Sequence, residues 1–583
     1  MKQKAAIPTV KDIPRFDRQF FESGDVISLI GGGSIGGKAS GLVFAHKVIQ
    51  SNINPEEFKN LQISVPRIVV IGTDIFDAFM MRNNLYELAL DDIPDDRIAS
   101  FFQKAEFPAE FAGDLRGLIS TVHTPLALRS SSMLEDAMYE PFAGVYGTKM
   151  IPNNQPDTDT RYKKLLEAVK FVYASVFFKE AKAYFEMTGH SLTEEKMAVI
   201  IQEVVGLPFG ERYYPSVSGV ARSYNFYAFG HAKPEQGVVD LALGLGKTIV
   251  DGGLVWSFCP EYPKTSPPST IGDLLKTSQT EFWSVNMGKP PAYDPIHEAE
   301  FLTKGSIADA EGDKSLYMIA STYQPQNDRI VMGMGAAGPR VLNFAQLIQM
   351  NDIPLTPVIK KLMKTCEMEL GAAVEIEFAM TLDPNKKIPP RFGFLQVRPM
   401  VVSDEKVEIS EAELSSENTL LASERVLGNG VLSNLYDVVF VKPDIFKKEN
   451  TSLITSEIND INLKIKNENR RYLLIGFGRW GSSDPWLGIP VNWGHISNAQ
   501  VIVEATLPDM HVELSQGSHF FHNLTSLQLF YFSISHSGKY NIDWDWLNSQ
   551  KLISESDNVR HIRTGKPLIV KVDGRNSIGV VTR

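Results

Sequence analysis

A glycine-rich segment lies between two apolar patterns near the start of the chain. Residues 26–30 (VISLI) predict a short buried strand, and GGGSIGGKASGL follows at residues 31–42. Leu42, Ala45, Val48 and Ile49 then repeat at helical spacing. A strand, a glycine turn and a helix in this order are typical of α/β folds. We therefore predict a mixed α/β (α+β) fold class.

The alternation of strands and helices continues through the first 400 residues. Apolar runs predict strands at 65–71, 125–128, 197–205, 219–226, 238–243, 373–378 and 392–397. Helical periodicity predicts helices at 162–187 and 342–350. A length of 583 residues exceeds what one core usually holds, so several packing units are expected.

The composition limits the classes of ligand and the cellular compartment that we expect. The chain has 58 Lys and Arg against 69 Asp and Glu, a formal charge of −11, with no long basic run. This balance argues against a nucleic-acid polymer as ligand but leaves small phosphorylated ligands open. Cys259 and Cys366 are the only cysteines, and no signal peptide or membrane span is predicted. We expect a cytoplasmic protein that does not bind membranes.

The glycine-rich segment fits three kinds of phosphate loop. Residues 31–36 match G-x-G-x-x-G, and residues 32–38 match G-x-x-x-x-G-K, but Ala39 lacks the hydroxyl of a P-loop. In the third interpretation a glycine turn brings the backbone close to phosphate, and Lys38 supplies a charge at the start of a helix. A surface turn with a solvated lysine remains an alternative.

A second polar cluster begins at Arg129, which we expect to end a strand. Ser130–Ser132, Glu135 and Asp136 follow it. A guanidinium fork beside hydroxyls and backbone amides could clamp a triphosphate. The alternative is a structural ion pair between Arg129 and Glu135 or Asp136.

A third cluster lies on two predicted strands. Glu375 and Glu377 are two residues apart, as are Gln396 and Arg398. Residues i and i+2 of a strand share a face, so the two carboxylates could converge on Mg²⁺. A solvated sheet face would show the same alternation.

Seven motifs together resemble one family, the phosphoenolpyruvate synthase and pyruvate phosphate dikinase family, in its ATP-grasp nucleotide-binding region. They occur in the family's order: GGKASGL (36–42), VPRIVVIGTDIFDAF (65–79), LRSSSMLEDAMYEPFAGVYGT (128–148), MAVIIQEVV (197–205), ALGLGKTIVDGG (242–253), VEIEFA (374–379) and LQVRPM (395–400). The resemblance implies a two-lobed ATP-grasp module, with lobes at 1–195 and 196–403.

The resemblance also implies site roles for eight residues. Lys38 and Arg129 would contact ATP phosphates, Gln202 and Val204 would meet adenine, Glu375 and Glu377 would hold Mg²⁺ or ribose, and Gln396 and Arg398 would line the transfer site. Arg129 and Arg398 are the catalytic candidates among them. Two departures stand out: Lys247 replaces a glutamate that the family usually has after Gly-Leu-Gly, and residues 221–229 differ from the family's usual sequence.

The tail follows an acidic segment at 404–424, which we interpret as a linker. Residues 425–583 predict a smaller β-rich α/β domain, with strands at 437–441, 472–475, 500–504 and 567–572. Resemblance to the family's swivelling domain would make His519 a phosphoacceptor. However, Phe520 and Phe521 replace the small residues expected there, and a structural or ligand-binding pair of His519 and His522 is the alternative.

One tail segment has no counterpart in the family. FGRWGSSDPW at residues 477–486 combines an arginine, two tryptophans and serines in a glycine-rich turn. It could recognise a polar planar or sugar-like ligand, with Arg479 available for phosphate. A structural loop held by its tryptophans is the alternative.

These observations predict an ATP-dependent, dikinase-like phosphotransferase that uses ATP and Mg²⁺. The tail is shorter than the ~250 residues of a (β/α)₈ barrel, so no pyruvate-binding barrel is expected. The expected phosphoryl acceptor is a histidine, a small molecule or a partner protein. The sequence is compatible with a homo-oligomer. The alternative function is a nucleotide-sensing protein that keeps the ATP cleft without turnover.

Overall fold

A computed structural model describes most of the chain and divides it into two compact units. The described residues are 13–135, 144–188, 190–265, 270–350, 352–400, 402, 407–482, 486–508, 510, 524 and 529–583. Unit 1 comprises Met1–Lys182, His190–Asn225 and Phe229–Met400, and unit 2 comprises Ala183–Gly189, Phe226–Ala228 and Val401–Arg583. The predicted domain boundaries remain predictions.

Unit 1 alternates strands and helices along the chain. Its strands are β1 (Ile27–Ile30), β2 (Gln62–Ser64), β3 (Ile68–Ile71), β4 (Leu126–Ser132), β5 (Thr148–Ile151), β6 (Met197–Glu203), β7 (Leu207–Phe209), β8 (Arg212–Tyr214), β9 (Val217–Arg222), β10 (Val238–Ala242), β11 (Trp256–Phe258), β12 (Glu281–Asn286), β13 (Leu302–Ser306), β14 (Ala320–Gln324), β15 (Arg329–Met332), β16 (Arg340–Leu342), β17 (Val374–Thr381) and β18 (Arg391–Pro399).

The helices of unit 1 lie between these strands, and the last part of α7 belongs to unit 2. They are α1 (Gly36–Asn52), α2 (Thr73–Arg82), α3 (Leu85–Leu90), α4 (Asp95–Lys104), α5 (Ala112–Thr121), α6 (Thr158–Ser175), α7 (Lys179–Thr188), α8 (Lys247–Val250), α9 (Ile271–Thr277), α10 (Ile307–Gly312), α11 (Ala345–Gln349) and α12 (Leu355–Leu370). This alternation confirms the predicted mixed α/β fold class.

Two sheets of unit 1 carry the predicted site residues. The first has five strands in the order β1-β3-β6-β4-β5, and the second has six in the order β11-β10-β9-β17-β18-β2. Strands β1 and β3 are parallel and fully buried, which explains their continuous apolar sequences. Smaller sheets with the orders β13-β12-β8-β7 and β15-β14-β16 complete the unit.

The glycine-rich segment packs against strand β4. Helix α1 begins inside it, at Gly36, whose φ is +75°. A side chain at Gly36 would collide with the carbonyl oxygen of Ser131, and the backbone N–H of Ala39 donates to Ser131 Oγ at 3.0 Å. Glycine is therefore required at position 36 both for its backbone angle and for its distance from β4.

Two local predictions are wrong. Strand β4 does not end before Arg129 but continues to Ser132, because Ser130–Ser132 are fully buried and pair with β6. The predicted helix at 162–187 is two helices, α6 and α7. Val176 and Phe177 are buried in the turn between them, so the apolar pattern continues through the break.

Unit 2 contains the predicted β-rich tail. Its strands are β19 (Thr419–Ser423), β20 (Val426–Leu427), β21 (Gly430–Val441), β22 (Tyr472–Phe477), β23 (Arg479–Trp480), β24 (Gly488–Ile489), β25 (Ala499–Ala505), β26 (Phe530–Ile534), β27 (Lys551–Glu555), β28 (Val559–Asp573) and β29 (Ile578–Thr582). Its further helices are α13 (Glu411–Leu414), α14 (Thr451–Asn467) and α15 (Trp544–Ser549). Elements α13 and β19 fall within the range interpreted as a linker.

The main sheet of unit 2 has the order β19-β29-β28-β21-β22-β25-β26-β20, with β27 beside β28. The four neighbours β21, β22, β25 and β26 are parallel. Asp437 on β21 is fully buried between His561, Arg563 and Arg470. Burial alone would raise the pKa of Asp437, but the hydrogen bonds from these three residues outweigh it and lower that pKa.

No helix among the described residues is long and apolar enough to cross a membrane.

We expect Gly36→Ala to destabilise the protein by at least about 2 kcal/mol, because the new methyl group meets Ser131 and the backbone is left-handed. Gly113→Ala is the matched control, since it lies in helix α5 with no atom within 4 Å of an added Cβ. Melting temperatures check both variants. Equal melting temperatures would contradict the assigned packing of α1 on β4.

Candidate functional site

The guanidinium of Arg129 connects the two large sheets of unit 1. Arg129 lies on β4, and its Nη1 donates to the carbonyl oxygen of Leu395 on β18 at 2.9 Å. Its Nη2 donates to Gln396 Oε1 at 2.5 Å and lies 3.3 Å from Glu377 Oε2. Gln202 Oε1 on β6 is 3.4 Å from Nη1. Four predicted site residues therefore meet at one point.

Lys38 is held by Glu135 and by Ser130, the residue that follows Arg129 on β4. Its Nζ lies 2.6 Å from Glu135 Oε1 and 3.3 Å from Ser130 Oγ, and it is in the first turn of α1. The Glu135 carboxylate is buried and also accepts from Ser130 Oγ and from the Ser132 backbone N–H. The ion pair that the sequence suggested between Arg129 and Glu135 is thus replaced by one between Lys38 and Glu135. Asp136 lies outside the described residues.

Glu375 belongs to a buried row of charges across the six-stranded sheet. Its Oε2 accepts from Arg222 Nε at 2.7 Å, and its Oε1 accepts from Arg398 Nε at 2.8 Å. Arg222 Nη1 also donates to Asp240 Oδ2 at 2.8 Å. Burial would lower the pKa of Arg222, but Glu375 and Asp240 outweigh it and raise that pKa. The row therefore consists of acidic and basic side chains that pair with one another.

Arg222 and Asp240 are contributions that the sequence analysis missed. Each is a charged residue inside an otherwise apolar strand, VSGVAR and VVDLA. A buried charge is rare unless it is paired, so two such strands in one sheet could have indicated an ion pair. A charged residue in a buried strand indicates that it has a partner, but it does not show which strand supplies that partner.

The carboxylates of the site differ in their fitness for Mg²⁺. Both oxygens of Glu375 already accept from arginines, so a metal there would have to displace a guanidinium. Among the described residues, Glu377 forms one ion pair, through Oε2, with Arg129. Among the residues that the structure describes, no group of three or more His, Cys, Asp and Glu could hold a metal. Magnesium usually takes one or two carboxylates together with substrate phosphates, a pattern that Glu377 fits.

An apolar cluster lies beside the polar residues. Val204 packs with Ala127, Tyr213, Leu245 and Val285, and Leu245 belongs to the Gly-Leu-Gly loop. Gln202, two residues before Val204, is buried, and its Nε2 has no hydrogen-bond partner among the described residues. Apolar surroundings with one unused amide donor suit a planar heterocyclic base.

The remaining predicted residues are Arg398, His519 and Arg479. Arg398 pairs with Glu375 in the buried row, two strand positions from Gln396. His519 and its neighbour His522 lie outside the described residues. Arg479 is on β23 of unit 2, immediately after the parallel strand β22, and is buried.

The comparison with known families agrees with this geometry. Residues 33–418 match the family model described as pyruvate phosphate dikinase, AMP/ATP-binding domain. The match spans most of the chain, which therefore belongs to this family and contains its nucleotide-binding domain. It confirms the resemblance drawn from the seven motifs. No curated protein gives a significant match to the chain.

We expect Glu375→Gln to destabilise the protein by about 3–5 kcal/mol, because it leaves two buried guanidinium groups without their shared carboxylate. Glu377→Gln is the control on the same strand, and its effect should be much smaller because its one ion pair is longer and more exposed. Chemical denaturation of both variants measures the difference. Equal losses of unfolding free energy in the two variants would contradict the conclusion that Glu375 neutralises two buried guanidinium groups.

Proposed function

We propose that the protein is an ATP-dependent phosphotransferase of the dikinase type. ATP would bind between the five-stranded and the six-stranded sheets of unit 1, and a phosphoryl group would pass to a histidine or a small-molecule acceptor. The observation that carries this proposal is the position of Arg129. Its guanidinium joins β4 to β17 and β18, and the next residue of β4, Ser130, contacts both Lys38 and Glu135.

In this proposal, Lys38 and Arg129 neutralise the nucleotide's phosphates. Both cations are held in place by protein acceptors, Glu135 for Lys38 and the carbonyl oxygen of Leu395 with Gln396 for Arg129. Phosphate oxygens would replace part of these contacts at little cost in side-chain reorganisation. Phosphoryl transfer depends mainly on such positioning and charge neutralisation.

The base and the metal would occupy either side of these cations. The adenine would lie in the apolar cluster around Val204, where Gln202 Nε2 is an unused donor. Glu377 would hold the magnesium together with phosphate oxygens. Bound Mg²⁺ would neutralise charge that develops on the transferred phosphate.

The acceptor is a separate question. We propose His519 as the first candidate, since an imidazole can carry a phosphoryl group to a further substrate. A direct transfer to a small molecule is the other route, and the glycine-rich loop that contains Arg479 would then be the place to search for it. The product, AMP or ADP, distinguishes the two.

A nucleotide-sensing protein is the second candidate function. Two observations favour it: Lys247 stands where a glutamate is usual in the family, and both oxygens of Glu375 are held by arginines. In this case ATP binds in the same place and is not turned over.

Labelled ATP separates the candidates. With Mg²⁺ and ATP labelled at the β- or γ-phosphate, we expect AMP and an acid-labile label on the wild-type protein, and no label on His519→Ala. ADP without labelled protein would redirect the proposal to direct transfer. Tight ATP binding without any turnover would overturn the enzyme and support the sensor.

We expect Lys38→Ala to weaken ATP binding about 10-fold or more, because a charge-assisted contact to phosphate is lost. Lys47→Ala is the matched control, since Lys47 is exposed and lies nine residues further along the same helix α1. Isothermal titration calorimetry measures both. Unchanged affinity in Lys38→Ala would contradict the proposed nucleotide site.

A further inference from the structure

The loop after strand β10 brings a second lysine to the site region, because Leu245 of this loop packs with Ala127 on β4 and with Val204. It turns at Gly244, whose φ is +82°, and helix α8 begins at Lys247. Lys247 Nζ lies 3.0 Å from Asp251 Oδ2 and 5.9 Å from the centre of the Trp283 ring. Next to it, Thr248 is buried, and its Oγ1 has no hydrogen-bond partner among the described residues. The loop thus offers a cation and an unused hydroxyl.

A second loop, between β12 and β13, places Glu298 in the same region. Lys149 on β5 holds this loop: its Nζ donates to the carbonyl oxygens of Asp294 and His297, both at 3.1 Å, and forms a buried ion pair with Glu300. Glu298 is therefore fixed between two anchored residues. The preceding residue of β5, Thr148, is the register partner of Arg129, which ties the loop to the strand pair that carries Arg129.

Glu298 interacts with both lysines over a distance. Desolvation by the surrounding protein raises the pKa of its carboxyl group, and Asp251 adds to this effect, while Lys247, Lys38 and the backbone N–H of Thr148 act in the opposite direction. Burial would lower the pKa of Lys247, but Asp251 and Glu298 outweigh it and raise that pKa. Among the described residues, the ion pairs that Lys38 and Lys247 form within 4.0 Å are with Glu135 and Asp251.

The carboxylate of Glu298 thus lies within the field of two ammonium groups without closing a contact to either. The single negative charge of Glu298 acts on both Lys38 and Lys247, which are already paired with Glu135 and Asp251. A polyphosphate carries several negative charges and many acceptor oxygens, so it would satisfy both ammonium groups far better than Glu298 does. The same polyphosphate would repel the Glu298 carboxylate.

We propose that Lys247 is a second polyphosphate-binding lysine that acts together with Lys38, and that Glu298 balances these lysines until a nucleotide binds. The inference rests on the proposed binding of ATP in unit 1. Lys247, which stands where the family usually has a glutamate, then has a role in nucleotide binding. It also makes nucleotide affinity dependent on the charge of Glu298.

The first test compares ATP with adenosine by isothermal titration calorimetry on the full chain. Lys247→Gln should weaken ATP binding about 10-fold to 100-fold, because a charge-assisted phosphate contact is lost. Adenosine binding should not change. Unchanged ATP affinity in Lys247→Gln, with wild-type affinity measurable, would overturn the inference.

Two matched controls isolate the lysine. Lys304→Gln removes a lysine whose Nζ lies 5.3 Å from the same Trp283 ring but pairs with the exposed Glu281. Asp251→Asn breaks the same ion pair while keeping Lys247. Neither should weaken ATP binding. A loss in Asp251→Asn equal to that in Lys247→Gln would assign the effect to the helix and overturn the inference.

The second test uses Glu298→Gln. At pH 8 this variant should bind ATP several-fold tighter than the wild type, because a negative charge beside the polyphosphate is removed. Glu281→Gln, an exposed carboxylate paired with Lys304, is the control and should leave the affinity unchanged. Weaker ATP binding in Glu298→Gln would overturn the proposed role of Glu298.

The pH dependence provides a further readout. Lys38 on α1, Lys247 on α8 and Asp251 at the end of α8 act on Glu298. Glu298 in turn acts on Glu180 of α7: burial, Glu298 and Asp95 raise the pKa of Glu180 to about 7. Bound polyphosphate favours protonated Glu298. The difference in ATP affinity between wild type and Glu298→Gln should therefore shrink as the pH is lowered, because the carboxyl group of Glu298, whose pKa is raised, loses its charge. A constant difference would overturn the role.

Failure of this inference is distinguishable from failure of the proposed function. If the wild-type protein binds no ATP, the nucleotide site itself is wrong. If the wild type and Lys38→Ala behave as expected but Lys247→Gln binds like the wild type, the nucleotide site stands and the role of Lys247 is wrong.

Discussion

The hydrogen bonds of Arg129 are the interactions on which the site of unit 1 depends. A single guanidinium on β4 reaches a backbone carbonyl, an amide and a carboxylate on β17 and β18. A planar fork with fixed donors restricts the distance and the angle between the partners that it joins. The relative position of the two sheets is therefore set by a few side-chain contacts.

Much of the fold could be predicted from local sequence. Strands β1, β3, β17 and β18 follow from apolar runs, and α1 follows from helical spacing after the glycines. The limits of β4 and of α6 could not be predicted, because both depend on burial by neighbours distant in sequence. Three serines continue a strand when β6 covers them, and a turn between helices can be as apolar as the helices that it joins.

The site residues, like the secondary structure, could be predicted only in part from the sequence. Residue types and spacing were enough to select Arg129, Glu377 and Gln396, and the family resemblance added Gln202; the structure brings these four together. They were not enough to assign partners: Lys38 pairs with Glu135, and Glu375 pairs with Arg222 and Arg398. Partners are set by strand order, and β9 lies beside β17 although about 150 residues separate them. Periodicity within one strand contains no information about such neighbours.

The pairing of β4 with β6 has a consequence for the spacing of charges. Arg129 and Ser130 are consecutive on β4, and Ser130 with Glu135 holds Lys38, so one strand sets the positions of both cations. A slip of β4 by one residue would turn Arg129 to the opposite face of its sheet. The seven paired positions from Leu126 to Ser132 therefore fix the places of Arg129 and Ser130 along the sheet. In the proposed function, side chains along β6 that make no contact with the nucleotide would maintain the accuracy with which it is recognised.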